Sequence, residues 1–387
     1  MKKAMIIGAG ASGRGHVGQL AFASGYDLVF VDRDRALVDA LRHAGRYRVR
    51  LVGAPTRDVD ITGFRILHMD EREAVFREFL ATPLLFTSVC PNNLKDVAAF
   101  LRPMVAEWLR QNGSDTKNIL CCENMNNGST VLRTYLLEGF PADLRPALEQ
   151  RFGFVDTMIS RVVARPRDPL SLLGEAYSEW TADCHAFRGT DRPAIETLEW
   201  VEHQDRYLQR KLYIHNTGHA TLGYLGFIAG YTYVHEAAQD ARIMDVCKRA
   251  IAESGWAIEK EHGFTADEIL RYRNALTDKC VCAELPDELL RVVREPLRKL
   301  GPDERFFGPL QLMLRHGRDP EYLLYGLCAA LLAEIPGDDQ SQTIRTLLRE
   351  RGVGAVLAEL KVVVPERVTA RIATLLPVVT EQFVRRP

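Results

Sequence analysis

Residues 4–13 read AMIIGAGASG, a short apolar run that breaks into glycines, and this stretch decides the fold. A run of this length ending at Gly8 suits a parallel strand buried on both faces. Gly8, Gly10 and Gly13 complete a G-x-G-x-x-G pattern, with Ser12 in the same turn. The pattern calls for a tight turn at Gly8, close approach of backbone to a pyrophosphate at Gly10, and close helix–strand packing at Gly13. A helix beginning there turns its unpaired N–H groups and partial positive charge toward phosphates.

The next apolar run, YDLVFVD (26–32), ends at Asp32. A carboxylate at this place accepts hydrogen bonds from the adenosine ribose and repels a ribose 2′-phosphate, which favours NAD over NADP. Arg33 and Arg35 flank it; they are either solvated or able to pair with that phosphate. Gly8, Gly10, Ser12, Gly13, Asp32 and Arg33 are therefore the expected cofactor-binding residues.

Further along, LLFTSV (84–89) and NILCCEN (118–124) repeat the strand signal, with helical stretches between the runs. This alternation predicts an α/β, Rossmann-type doubly wound sheet in the first half. Beyond about residue 195 the apolar residues recur at helical spacing, as in PEYLLYGLCAALLAEI (320–335). The second domain is expected to be mainly helical. ARPRDPLS (164–171) reads as a proline-interrupted loop, and GTDRP (189–193) places the boundary between domains of 1–192 and 193–387.

A chain of 387 residues is too long for one ordinary core, which agrees with two domains. Lys and Arg total 50 against 51 Asp and Glu, so no global field favours nucleic acid or an anionic membrane. The eight cysteines are scattered without paired zinc spacing, which points to a reduced, cytoplasmic protein. The basic start MKK runs into glycines, not into a signal-peptide core, and no window reaches the roughly 20 apolar residues of a membrane span. The sequence leaves the choice between a monomer and a small homo-oligomer open.

RKLYIHNTGHA (210–220) carries the chemistry. If 205–229 is one helix, each residue turns about 100°. With Lys211 at zero, His215 falls near 40°, His219 near 80° and Asn216 near 140°, about one side of the helix. Oxidation of an alcohol needs a base for the hydroxyl proton, and a lysine serves when burial and neighbouring cations bring it from about 10.4 toward neutrality. Asn216 can donate to a developing alkoxide, and His219 can orient or polarise the same oxygen. The same residues also fit a plain surface helix. His215 and His219 have the i,i+4 spacing of a zinc pair, but the pattern lacks the glutamate of H-E-x-x-H and a third ligand nearby, so no metal is expected.

KLYIHNTGHA resembles the K-x4-N-x2-H signature of the polyol-specific long-chain dehydrogenases. CCENMNNGSTVLR (121–133), GFVDTMISRVV (153–163), SEW (178–180) and PLRKLGPDER (296–305) extend the resemblance over nearly the whole chain, toward the branch that acts on phosphorylated sugar alcohols. The resemblance implies a zinc-independent, NAD-dependent enzyme interconverting D-mannitol 1-phosphate and D-fructose 6-phosphate. It makes Lys211 the general acid/base, sets Asn216 and His219 on the reacting oxygen, and makes Asn124 the second amide of an oxyanion-binding pair. Asn124 also follows a predicted strand, where ligands of parallel sheets gather, although a helix-capping role fits it too.

A phosphorylated substrate needs a positive pocket, and Arg298, Lys299 and Arg305 are the candidates. Flanked by Asp303 and Glu304, they fit an internally paired surface equally. Asn92 and Asn93, His215, and the C-terminus from about 335 depart from the family pattern. These departures leave an unphosphorylated polyol or a hexuronate open, and a non-catalytic NAD(H) sensor stands as the reading from another class.

Overall fold

The computed structural model describes residues 2–385 apart from 54, 112 and 165–167, so part of the loop expected at 164–171 lies outside the described residues. The chain forms two compact units, Met1–Tyr207 and Leu208–Pro387.

In the first unit the strands are β1 (Lys3–Ile7), β2 (Asp27–Asp32), β3 (Arg46–Val52), β4 (Arg57–Thr62), β5 (Arg65–His68), β6 (Leu84–Thr87), β7 (Lys117–Cys121), β8 (Phe152–Val155), β9 (Thr157–Ser160), β10 (Ser171–Glu175), β11 (Glu179–Asp183) and β12 (Leu198–Val201). Six of them make a parallel sheet in the order β5-β2-β1-β6-β7-β8. The chain reverses its direction of travel at β1 and β6, where Ile7 pairs with Val31 on one side and Thr87 on the other. A crevice at the carboxyl ends of strands forms at such a reversal. Gly8, Asp32, Ser88 and Glu123 all fall at or just beyond strand ends on that edge.

β1 shows why the apolar run was so uniform. Ala4 and Ile6 enter one hydrophobic cluster with Leu28, Phe30 and Trp180, while Met5 and Ile7 enter another with Val29, Leu85 and Phe79. Successive side chains point to opposite faces, and both faces are covered. A buried cation ties one helix to this sheet. The Lys117 ammonium donates to the carbonyls of Phe79, Leu80 and Thr82 at 2.7, 3.0 and 2.8 Å, where the helix Arg72–Leu80 ends. Burial pushes this amine down to about 8.

The boundary between the units falls later than the expected 192/193. The residues after GTDRP return as β12, which pairs with β11 in a three-stranded sheet β12-β11-β9 and so belongs to the first unit.

The second unit is built of helices, as expected from the spacing. Its central helix, Asn216–Ile228, is apolar on nearly every side. Gly218, Gly223 and Gly226 let neighbours press against it: a Cβ at each would lie 2.7 Å from Ile251, 2.5 Å from Val292 and 2.4 Å from Ala237. The buried Glu253 carboxylate accepts from the backbone N–H groups of Glu321, Tyr322 and Leu323, at the start of the helix Leu323–Leu332. An anion at that end matches the helix dipole.

Candidate active site

In the first unit the glycine turn is shaped by contact with β6. Gly8 has φ +101°, and a Cβ there would lie 2.3 Å from the Ser88 carbonyl oxygen. A Cβ on Gly13 would lie 2.0 Å from the Gly8 carbonyl. At Gly10 it would meet nothing within 4 Å, so the turn is packed at its ends and open at its middle. That is the arrangement a pyrophosphate requires. Ser12 is half-buried and immediately precedes a π-helical turn, Gly13–Gly18, which continues into the helix Gln19–Ala23.

Asp32 is half-buried at the tip of β2, and its two oxygens accept from Ala9 N at 2.5 Å and Asp34 N at 2.9 Å. The carboxylate thus braces the glycine turn and keeps acceptor capacity for further donors. Arg33 is exposed, and its carbonyl accepts from His68 Nε2 at 2.9 Å. Arg35 is engaged by His68 Nδ1 at 3.0 Å and Asp70 at 3.4 Å.

Two groups here went unnoticed in the sequence. Arg14 is buried in the glycine turn, where its Nε donates to the Ala9 carbonyl at 2.6 Å, a guanidinium N–H donates to the Pro169 carbonyl, and its cation lies over the Tyr47 ring. A charged residue directly after the glycine pattern was the available signal. Glu123 is 5% exposed and accepts from Thr87 Oγ1 at 2.8 Å and Val89 N at 2.9 Å, linking the ends of β6 and β7. Asn124, the next residue, is exposed just beyond β7.

Burial raises the Glu123 carboxyl from 4.5 to about 7, against the two hydrogen bonds. A carboxyl with a higher pKa when folded contributes stability that is full below about 4.5 and lost as pH rises toward 7. The span corresponds to roughly 3 kcal/mol. Glu123→Gln removes this slope, so melting curves are expected to show wild type losing stability relative to the variant between about pH 5 and pH 7.5. Parallel pH profiles for the two proteins would refute the assignment.

In the second unit Lys211–His215 forms a π-helical turn between the α-helices Gln204–Arg210 and Asn216–Ile228. The expected single α-helix is therefore widened at its chemically dense stretch, a place where such turns concentrate in proteins. Lys211, His215, Asn216 and His219 are all half-buried. His215 Nδ1 lies 3.3 Å from Asn216 Oδ1. An amide oxygen only accepts, so Nδ1–H is the donor and the Asn216 NH2 faces away from that bond. Burial, then the nearby Lys279, His219 and Lys211, push His215 well below its ordinary value, which keeps it neutral.

His219 Nε2 lies 2.9 Å from Asp287 Oδ2, and Arg291 holds the same carboxylate at 2.6 and 2.8 Å. Neither Asp287 nor Lys279 was singled out in the sequence; the i,i+4 pair Asp287–Arg291 was the visible trace of the first. Among the described residues no group of three His, Cys, Asp or Glu side chains is arranged to hold a metal ion.

Arg298, Lys299 and Arg305 do cluster. Lys299 is buried, donates to the Val292 carbonyl at 2.6 Å, and is pushed down to about 8 by burial and then by Arg305 and Arg298. Arg298 pairs with Glu295 at 2.7 Å, and Arg305 pairs with Glu304 at 3.1 Å. The backbone of this segment meets the π-helical turn and the central helix, with the Asp303 and Arg305 carbonyls accepting from the Tyr213 and Thr217 hydroxyls respectively.

A dinucleotide-type glycine turn on a parallel sheet, and a helix gathering an amine, an amide and two imidazoles, define an oxidoreductase of the Rossmann class. The chain belongs to the mannitol dehydrogenase family: its Rossmann domain matches residues 2–197 and its C-terminal domain matches residues 203–369. A relative named mannitol-1-phosphate 5-dehydrogenase, from Thermoanaerobacter pseudethanolicus, is 30% identical over 364 residues, which is 93% of either chain. Among solved structures, Pseudomonas fluorescens mannitol 2-dehydrogenase in a ternary complex with NAD and D-mannitol superposes with TM-score 0.73 at 17% identity, covering 98% of this chain and 91% of that one. A D-sorbitol dehydrogenase in substrate-free form gives TM-score 0.82 at 16% identity, covering 98% and 93%. These two show the shared fold. No helix among the described residues is long and apolar enough to cross a membrane.

Proposed function

We propose that this protein is an NAD-dependent polyol dehydrogenase that interconverts D-mannitol 1-phosphate and D-fructose 6-phosphate. Gly8, Gly10, Ser12 and Gly13 form the cradle for the cofactor phosphates, and Asp32 meets the adenosine ribose; Arg33 is exposed beside it. When bound, NAD accepts hydride from the alcohol or, reduced, returns it to the ketone.

Lys211 moves the other proton. In the oxidative direction its neutral amine takes the hydroxyl proton, and in the reductive direction its ammonium returns one to the same oxygen. Asn216 donates its amide N–H to that oxygen as charge develops, and Asn124 is assigned the second amide. An amide N–H donated to that oxygen favours the alkoxide-like transition state without a metal. Arg298, Lys299 and Arg305 are assigned to the substrate phosphate, and the chain's 30% identity to a relative named mannitol-1-phosphate 5-dehydrogenase supports the phosphorylated reading.

The observation that carries this reading is the Asn216 amide. His215 Nδ1–H takes its oxygen, which leaves the NH2 as a donor at the end of the π-helical turn that Lys211 begins.

Following NADH absorbance with fructose 6-phosphate, fructose and a ketohexuronate, with NADPH in parallel, tests the proposal. Oxidation of NADH with fructose 6-phosphate is expected. Turnover of an unphosphorylated sugar alone would move the substrate and remove the phosphate role of Arg298, Lys299 and Arg305. Tight NADH binding without turnover on any sugar would make the protein a sensor.

A further inference from the structure

The bond between His219 and Asp287 fixes where the histidine carries its proton. Asp287 is an anion: burial alone would raise its carboxyl, but the bonds from His219 and Arg291 bring it to about 2. An ionised carboxylate only accepts, so the atom facing it, His219 Nε2, must bear a hydrogen. His219 is itself neutral, because burial outweighs the attraction of Asp287, and Arg291 and Lys279 act in the same direction as burial. A neutral imidazole has one N–H. It is spent on Asp287, which leaves Nδ1 a bare acceptor, and no described residue donates to it.

A bare acceptor cannot serve the reacting oxygen. As a ketone that oxygen carries no hydrogen; as an alcohol its one hydrogen goes to Lys211. The role read from the sequence, in which His219 orients or polarises the reacting oxygen, therefore conflicts with the tautomer. A polyol, however, carries further hydroxyls on the carbons beside the reacting one, and each is a donor.

We propose that Asp287 is a positioning residue that holds His219 as the Nε2–H tautomer, so that His219 Nδ1 accepts a hydrogen bond from a substrate hydroxyl neighbouring the reacting carbon. The inference rests on the polyol dehydrogenase reading above, and it assigns His219 to substrate selection and not to charge stabilisation. Arg291 completes the arrangement by gripping the carboxylate through both oxygens, which prevents Asp287 from rotating away from the ring.

The test compares fructose 6-phosphate with its 1-deoxy and 3-deoxy forms. Wild type is expected to lose about 100-fold or more in kcat/KM on one of them, because a site built to bond a hydroxyl rejects an analogue without it. Asp287→Asn offers Nε2 an amide in place of an anion and releases the tautomer; Asp287→Asn and His219→Ala are both expected to bring the ratio of parent to deoxy substrate close to one. Asp287→Glu restores discrimination. Nitrogen-15 spectra of the histidines, recorded without substrate, are expected to show Nε2–H in wild type at neutral pH and a shift toward Nδ1–H in Asp287→Asn. Equal turnover of parent and deoxy sugars by wild type, or an Nδ1–H or doubly protonated His219, overturns the proposal. If wild type turns over no sugar, the functional reading fails, while the spectra still decide the tautomer.

Discussion

Lys211→Ala is expected to lower kcat for reduction of fructose 6-phosphate by roughly 10²- to 10⁴-fold, the range over which a positioned acid or base contributes. NADH affinity should stay within a factor of a few, because the glycine turn and Asp32 belong to the other compact unit. The expected result is a loss in kcat far larger than any change in KM, since a proton donor matters in the transition state and hardly at all in substrate binding. Fluorescence titration with NADH and steady-state kinetics on one preparation make the comparison. A variant that keeps its turnover removes the lysine from the chemistry. One that loses NADH binding as well has been damaged more broadly than the assignment allows.

The second large effect is expected at the glycine turn, where two neighbouring glycines should behave differently. Gly8→Ala must place a Cβ 2.3 Å from the Ser88 carbonyl oxygen with φ at +101°, a conformation that an L side chain rarely adopts. It should destabilise the protein by roughly 2–4 kcal/mol and abolish NADH binding. Gly10→Ala meets nothing within 4 Å and should melt close to wild type. Its methyl nevertheless stands where the pyrophosphate needs bare backbone, so cofactor affinity should fall by about an order of magnitude or more. Melting curves with and without NADH separate the two. A Gly10→Ala protein that binds NADH normally would show that phosphates do not approach the turn there.

Much of the architecture was readable because burial on both faces leaves a plain trace. β1, β2, β6 and β7 are continuous apolar runs, each closed by a glycine or a polar residue, and they were found within a few residues of their ends. β3 was missed although it carries a different trace: Arg46, Arg48 and Arg50 alternate with Tyr47, Val49 and Leu51, one set exposed and the other buried. Period-two alternation of this kind marks a strand with one wet face. β12 left little trace, being short and following the expected boundary, and the division between units moved accordingly.

The candidate site was legible where one helix carries it and obscure where partners come from elsewhere in the chain. Lys211, His215, Asn216 and His219 share a few turns, so their spacing alone brought them together. Asp287 lies far along the sequence from His219, and no local pattern links them. The role of His215 needed coordinates too, because its effect on Asn216 depends on which ring nitrogen faces the amide oxygen.

The π-helical turn at Lys211–His215 holds one residue more than an α-helical turn would accommodate. The wider turn spreads about the same sweep over one more residue, so straightening it into regular α-helix with every residue kept would swing one flank by about 100° relative to the other. The four residues between Lys211 and Asn216 are thus a gauge that sets an angle between amine and amide. A variant that keeps the length of this interval but holds it as regular helix should be expected to give up the reaction, however little else in it changes.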